Sequence, residues 1–247
     1  MQVQELFMSY RQSGKKSLAV LLDPDKLLDR EGLDRTMQLI NSSPVDYIFI
    51  GGSLVTESGF DERVKHVKDN TSIPVILFPG SVSQITPNVD AVLFLSLISG
   101  RNADLLIGQH VVAAPTIKRH KLETISTGYM LVDCGKPTTA SYISATPPIP
   151  HDKPEIAAAT ACAGEMLGLS TMYLDGGSGA AQPVSEQMIQ AVSRSTECPL
   201  IVGGGIRSTE QAHKAWSGGA DIIVIGTAFE ENPDLLFDIC AEKARMS

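Results

Sequence analysis

The chain has 247 residues, 43% of them hydrophobic and 19% charged, with 21 Gly and 14 Pro. That balance excludes a disordered, collagenous or coiled-coil chain and leaves length enough for one large hydrophobic core. A formal charge of -8 argues against a nucleic-acid partner, and no apolar run approaches the ~18 residues of a transmembrane segment. The opening MQVQELFMSYRQSGKKS lacks the apolar core of a secretory signal, and Cys134, Cys162, Cys198 and Cys240 form no CxxC pair. Both features point to a cytoplasmic chain with reduced, structural thiols.

Short β-rich runs recur at 18–22, 47–50, 74–78, 91–95, 128–132, 171–174, 200–202 and 222–225. They are continuously apolar rather than alternating, which predicts a parallel sheet covered on both faces. Helices are predicted at 27–41, 60–69, 103–114, 153–167, 184–195, 209–216 and 233–243, and SVSQITPNVD after the third strand leaves room for one helical turn. Eight βα units in about 250 residues fit an α/β fold, a closed (β/α)8 TIM barrel formed by a single domain over 1–247. A doubly wound open sheet leaves the last two strands unexplained. The stretch 135–153, rich in Pro, Ser and Thr, reads as a linker by composition alone. Cutting there separates five βα units from three, so it is predicted as a long loop at the barrel mouth.

This fold carries its active-site groups at the carboxyl ends of the strands. Asp46, Asp90 and Asp221 precede strands and belong to bottom turns, whereas Asp23, Asp133 and Asp175 end strands at the mouth. Alternation puts Asp23 on the face of Ala19 and Leu21, and Asp175 on that of Tyr173; if those faces turn to the axis, two carboxylates and a phenol line the mouth. The last three units end in GGSGA (176–180), GGGIRS (203–208) and GTAF (226–229), glycine loops suited to a phosphate cup. No nucleotide P-loop occurs. Across the mouth, Asp23 and Ser53 offer hard oxygen donors that suit Mg²⁺ when substrate phosphates complete its shell. Arg207, just beyond the GGGI loop, is a phosphate contact or a helix-start residue. Among the scattered histidines only His110 is singled out for a site role.

The motifs LLDPDK (21–26), GGS (51–53), KPEIAAATACAGEMLG (153–168), YLDGGSGA (173–180), VGGGIRS (202–208) and IGTAFE (225–230) resemble the geranylgeranylglyceryl phosphate synthase family of prenyltransferases. The resemblance implies a phosphoglycerol geranylgeranyltransferase: Mg²⁺-dependent transfer from geranylgeranyl diphosphate to the 3-hydroxyl of sn-glycerol 1-phosphate. A longer donor such as heptaprenyl diphosphate, or a phosphosugar isomerase or synthase using the same cup, is the alternative. It further implies that Asp23 and Ser53 hold Mg²⁺, with Asp25 a reserve ligand and Lys26 a diphosphate partner or a surface lysine. Tyr173, Leu174, Asp175, Gly176, Gly177, Ser178, Gly179, Gly204, Gly205, Gly226 and Thr227 would bind glycerol phosphate. The family has Glu in YLEAGSGA where this chain has Asp175, so Asp175 is expected as the base, with Tyr173 orienting the hydroxyl or packing in the mouth. A prenyl groove is expected along Leu95, Leu97 and Ile98 and the segment 142–149. Relatives of this type are homo-oligomers, dimers or hexamers, so self-association is expected here, with transient membrane-surface contact for product release.

Overall fold

A computed structural model describes residues 2–26 and 29–246. The chain order is α1 (Val3–Ser13), β1 (Ser17–Leu22), α2 (Arg30–Asn41), β2 (Tyr47–Ile50), α3 (Phe60–Asp69), β3 (Val75–Leu77), β4 (Ala91–Leu97), α4 (Gln109–His120) and β5 (Glu123–Leu131). There follow α5 (Thr139–Ser144), α6 (Pro154–Met166), β6 (Thr171–Asp175), α7 (Glu186–Ser195), β7 (Leu200–Gly203), α8 (Thr209–Ser217), β8 (Ile222–Ile225), α9 (Thr227–Glu231) and α10 (Asp234–Arg245). The eight strands pair in parallel, each with the next, and β1 pairs with β8 to close the barrel. The predicted strands all form. The start of the predicted helix at 27–28 lies outside the described residues, and α2 is seen from Arg30, capped by Asp29 on the Glu31 and Gly32 amides.

Strand parity sorts the apolar residues into two layers. Ala19, Tyr47, Phe49, Ile76, Leu93, Tyr129, Tyr173 and Val224 fill the barrel interior. Leu18, Val20, Ile48, Ile50, Val75, Met172, Leu174 and Val202 pack outward under the helices. Both faces are buried, which is why the strands read as continuous apolar runs.

The bottom turns repeat one device. Asp46, before β2, accepts the Leu18 amide of β1 at 2.9 Å; Asp90, before β4, accepts that of Val75 at 2.8 Å; Asp221, before β8, accepts that of Leu200 at 2.8 Å. Each carboxylate thus satisfies a donor that the ladder leaves unpaired at the strand's start. Helix α1, absent from the sequence prediction, plugs this end. Its first amides, Val3 and Gln4, donate to Glu123 at 2.9 and 2.8 Å, Phe7 meets Tyr47 edge-on at 4.9 Å, and Arg11 pairs with Asp221 at 3.1 Å.

Two other segments differ from expectation. The predicted helix at 103–114 is a π-helical turn (Asp104–Gly108) running into α4, which passes through Pro115 to His120. Strand β5 begins at Glu123 because ETIST, polar to the eye, supplies β-branched residues whose pairing with β4 outweighs their hydroxyls. The mouth segment 135–153 holds α5 and returns through a parallel bridge, the Ile149 amide donating to the Leu131 carbonyl and Asp133 to Ile149, both at 2.8 Å.

Candidate active site

A cavity of about 420 Å³ opens at the carboxyl ends of the strands. Asp23, Lys26, Ser53, Tyr173, Asp175, Gly177, Ser178, Gly179, Gly204, Gly205, Gly226 and Thr227 all border it. Leu174 and Gly176, also expected in the site, do not. Leu174 has the opposite parity and packs outward in the core; Gly176 lies over Cys134, whose Sγ would be 2.8 Å from any Cβ there.

The cup is built from backbone packed on backbone. Gly204 (φ 83°) approaches the β6 loop so closely that a Cβ would lie 2.6 Å from the Gly177 amide nitrogen, and one on Gly205 (φ 75°) would strike the Gln182 carbonyl. Only glycine fits both the left-handed backbone and the contact. Ser178 Oγ and Thr227 Oγ1 stand 3.2 Å apart, joining the β6 and β8 loops. Ser208 of the GGGIRS loop caps α8 through the Gln211 amide and so serves the helix. Lys136, which sequence reading passed over, lies with Nζ 3.5 Å from where a Gly179 Cβ would sit. Its signal was its place in the mouth loop alone.

On the opposite wall the Asp23 carboxylate accepts the Asp25 amide at 3.1 Å and lies beside Gly52, in the loop that carries Ser53. Gln84, buried and missed by sequence, staples this loop: its Nε2 donates to the Gly52 carbonyl at 2.8 Å and its Oε1 accepts the Gly80 amide at 3.2 Å. Asp25 is turned away. It accepts the Thr56 amide at 2.7 Å and faces Arg63 at 3.9 Å, so it braces the β2 loop rather than standing by as a metal ligand. Lys26 pairs with Glu230 at 2.7 Å and Arg207 with Glu231 at 3.0 Å, tying the first and seventh units to α9. Asp133 is exposed, turned to the Gly135 amide at 3.1 Å, and lines a separate hollow.

No group of three or more His, Cys, Asp or Glu gathers among the described residues. Asp23 and the Ser53 hydroxyl nonetheless fit a hard divalent cation that takes most of its ligands from substrate phosphates and water, the usual habit of Mg²⁺.

Between the two walls sits Asp175, 7% exposed. Its Oδ2 accepts the Tyr129 hydroxyl at 2.5 Å and its Oδ1 the Gly177 amide at 2.6 Å. Burial pushes its ionisation up, while these two hydrogen bonds to the charged form pull it back. Tyr173 stacks on Phe78 (5.2 Å, 25°) and meets Tyr129 edge-on, and its hydroxyl would lie 2.7 Å from a Cβ at Gly203, which is why that position is glycine. Tyr129 was missed by sequence reading, although its parity with Leu131 placed it on the inner face.

From Asp175 the cavity continues into an apolar channel past Phe78, Leu95, Leu97, Leu105 and Ala113. Leu95, Leu97 and Ile143 line it as expected, but Ile98 and Ile149 are buried in the outer core and Tyr142 is 85% exposed. The channel's other wall is Val82, Ile85, Val92 and Phe94, next to α4. His110 closes it, edge-on to Phe94 at 4.4 Å with Nε2 3.2 Å from Ser96 Oγ; burial holds its pKa down, so it is neutral at neutral pH.

Residues 11–244 match the PcrB family. A geranylgeranylglyceryl phosphate synthase from Spirosoma linguale is 54% identical over 94% of this chain and 92% of its own length, and one from Chitinophaga pinensis is 52% identical over 93% and 91%. The (S)-3-O-geranylgeranylglyceryl phosphate synthase of Thermoplasma acidophilum, solved with sn-glycerol-1-phosphate, superposes with a TM-score of 0.92 at 31% identity, covering 99% of both chains.

The chain belongs to the PcrB family. This agrees with the resemblance drawn from LLDPDK, YLDGGSGA and the other motifs. The chain's YLDGGSGA loop differs from the YLEAGSGA pattern at Asp175 and Gly176. The Asp175 carboxylate accepts the Tyr129 hydroxyl from the layer below.

Proposed function

We propose that this protein transfers a geranylgeranyl group from geranylgeranyl diphosphate to the 3-hydroxyl of sn-glycerol 1-phosphate, releasing diphosphate. One observation carries the reading: a single cavity runs from a glycine cup, past a buried carboxylate, into an apolar channel. An anionic head, a reacting hydroxyl and a hydrocarbon tail each meet the surface their chemistry requires. The names of the Spirosoma, Chitinophaga and Thermoplasma relatives support the same assignment.

In this reading the loops at Gly177–Gly179, Gly204–Gly205 and Gly226–Thr227 hold the glycerol phosphate, and the channel holds the prenyl chain. Asp23 and Ser53 would hold Mg²⁺, which, when bound, neutralises charge developing on the departing diphosphate. Lys26 exchanges Glu230 for a diphosphate oxygen. The cup and channel bring the 3-hydroxyl within reach of the allylic C1. Asp175 takes the hydroxyl proton as the new C–O bond forms and the C1–O bond to diphosphate breaks. Tyr173, rigid against Phe78, orients the hydroxyl.

We also infer a homo-oligomer. Helix α6 buries Ala157, Ala161 and Gly164, yet its outer face carries Ile156, Ala159, Ala163 and Met166, the last 81% exposed. A helix apolar on both sides requires a cover, and a second copy of the chain supplies one. No helix among the described residues is long and apolar enough to cross a membrane; release of the lipid product by transient contact with a membrane surface is part of the same proposal.

The test is direct. Purified protein is given geranylgeranyl diphosphate and sn-glycerol 1-phosphate with Mg²⁺, then with EDTA, and prenylglyceryl phosphate is sought by mass spectrometry. Product with Mg²⁺ and none with EDTA is expected. Absence of product with this and longer prenyl donors, from folded protein, overturns the assignment.

A further inference from the structure

Tyr129 and Tyr173 face each other across the β5–β6 ladder, and Leu131, not Tyr129, is the register partner of Asp175. The Tyr129 phenol therefore reaches its carboxylate diagonally, from the barrel layer beneath the mouth. It does so with little freedom of its own: the ring is edge-on to Phe78 at 5.8 Å and to Tyr173 at 5.4 Å, and the side chain is buried. Gly177 fixes the other carboxylate oxygen from the loop above. Asp175 is thus clamped from below and above in one rotation, on the wall of the cavity.

We propose that Tyr129 is a positioning residue for prenyl transfer: its hydroxyl holds Oδ2 of Asp175 so that the carboxylate is aimed at the acceptor hydroxyl. The proposal rests on Asp175 acting as the base. The hydroxyl oxygen bonds to C1 of the prenyl donor, the C1–O bond breaks with its electron pair leaving on diphosphate, and the hydroxyl proton passes to Asp175. Tyr129 keeps its own proton throughout, because burial and the adjacent carboxylate push its ionisation far above the ordinary phenol range.

The electrostatic surroundings leave Tyr129 as the adjustable member. Tyr173 on β6 is also held protonated, by burial and by Asp175. The Cys134 thiol, after β5, is pushed up to about 12 by burial, Asp175 and Asp133. On β7 the register partner of Asp175 is Gly203, which carries no side chain. Asp23, Lys26, Arg207 and Glu230 stand around the mouth, the two cations already paired with α9.

Tyr129→Phe keeps the ring and removes the donor. A hydrogen bond to a charged group is worth roughly one to two pH units of ionisation, and its loss raises the carboxyl pKa. The expected result is an acid limb of kcat/KM displaced upward by about one to two units. kcat near neutrality falls about tenfold to a hundredfold, while KM for glycerol phosphate is unchanged. NMR titration of the substrate-free protein, with the aspartate carboxyl carbons ¹³C-labelled, should show the same upward shift at Asp175. The more acidic 3,5-difluorotyrosine placed at position 129 should move the titration the opposite way, and serves if the Phe variant folds poorly. An unmoved pH limb and an unmoved Asp175 titration overturn the proposal. Asp175→Asn separates it from the reading beneath it. A full-rate Asn enzyme overturns Asp175 as base and this proposal with it. An inactive Asn enzyme beside an unshifted Tyr129→Phe profile overturns Tyr129 alone.

Discussion

At the scale of single residues, the mouth concentrates its cost in Asp175. A carboxylate buried in an apolar barrel loses hydration that two hydrogen bonds only partly replace. Its folded pKa is raised, so the folded state holds the proton more tightly than the unfolded chain. Below the unfolded value of about 3.9 both states are protonated and Asp175 has no pH-dependent cost. As pH rises above that value the unfolded chain ionises first, and stability falls until the folded pKa is passed. Asp175→Asn should therefore raise the denaturation midpoint at pH 7 relative to the parent and lose that advantage near pH 3.5. Urea unfolding at the two pH values checks this. An Asn variant equally destabilised at both would contradict the linkage. The same substitution abolishes the proposed base, so stability and activity are expected to move in opposite directions.

At the scale of elements, α1 shows what a short terminal helix does for a barrel. The bottom turns satisfy their own amides through Asp46, Asp90 and Asp221, but they leave the axis open between the strands. Phe7, fully buried, fills that opening against Tyr47. Phe7→Ala should cost about 3–5 kcal/mol, the usual price of truncating a buried phenylalanine. Denaturant titration reads it, and activity per folded molecule should be little changed because the mouth is at the other end. The cup behaves oppositely. Gly204 is held at φ 83° against the Gly177 amide, so Gly204→Ala must push the β6 and β7 loops apart. KM for glycerol phosphate is expected to rise by about tenfold or more, since one displaced charge-assisted contact to the phosphate accounts for that much. An unchanged KM would remove these loops from the phosphate site.

At the scale of the whole molecule, closure and self-association are separate questions. The barrel closes through β1 and β8, with Trp216 Nε1 donating to the Ser17 carbonyl at 3.2 Å and Lys16 reaching the Ala220 carbonyl at 2.9 Å. None of this involves α6, whose outer face is the proposed contact between copies. Met166→Glu should leave the fold and its circular dichroism intact while shifting sedimentation velocity from an oligomer to a monomer. A chain that sediments as a monomer before substitution removes the oligomer proposal.

The sequence by itself determined the order of the strands, the barrel, the shared face of Tyr173 and Asp175, and the glycine loops of the mouth. These are local properties: a continuous apolar run, a period of two and a residue without Cβ each act within a few positions. The tertiary structure alone decided which side chains meet across units. Tyr129 reaching Asp175 from an adjoining strand, Gln84 stapling the Ser53 loop, α1 entering the barrel and Asp25 turning to Thr56 depend on register and twist set by the closed sheet. The prenyl channel belongs to the same class. Its walls come from the segment after β3, from β4, α4 and the mouth loop, and no single segment carries the pattern of a groove that only their packing creates.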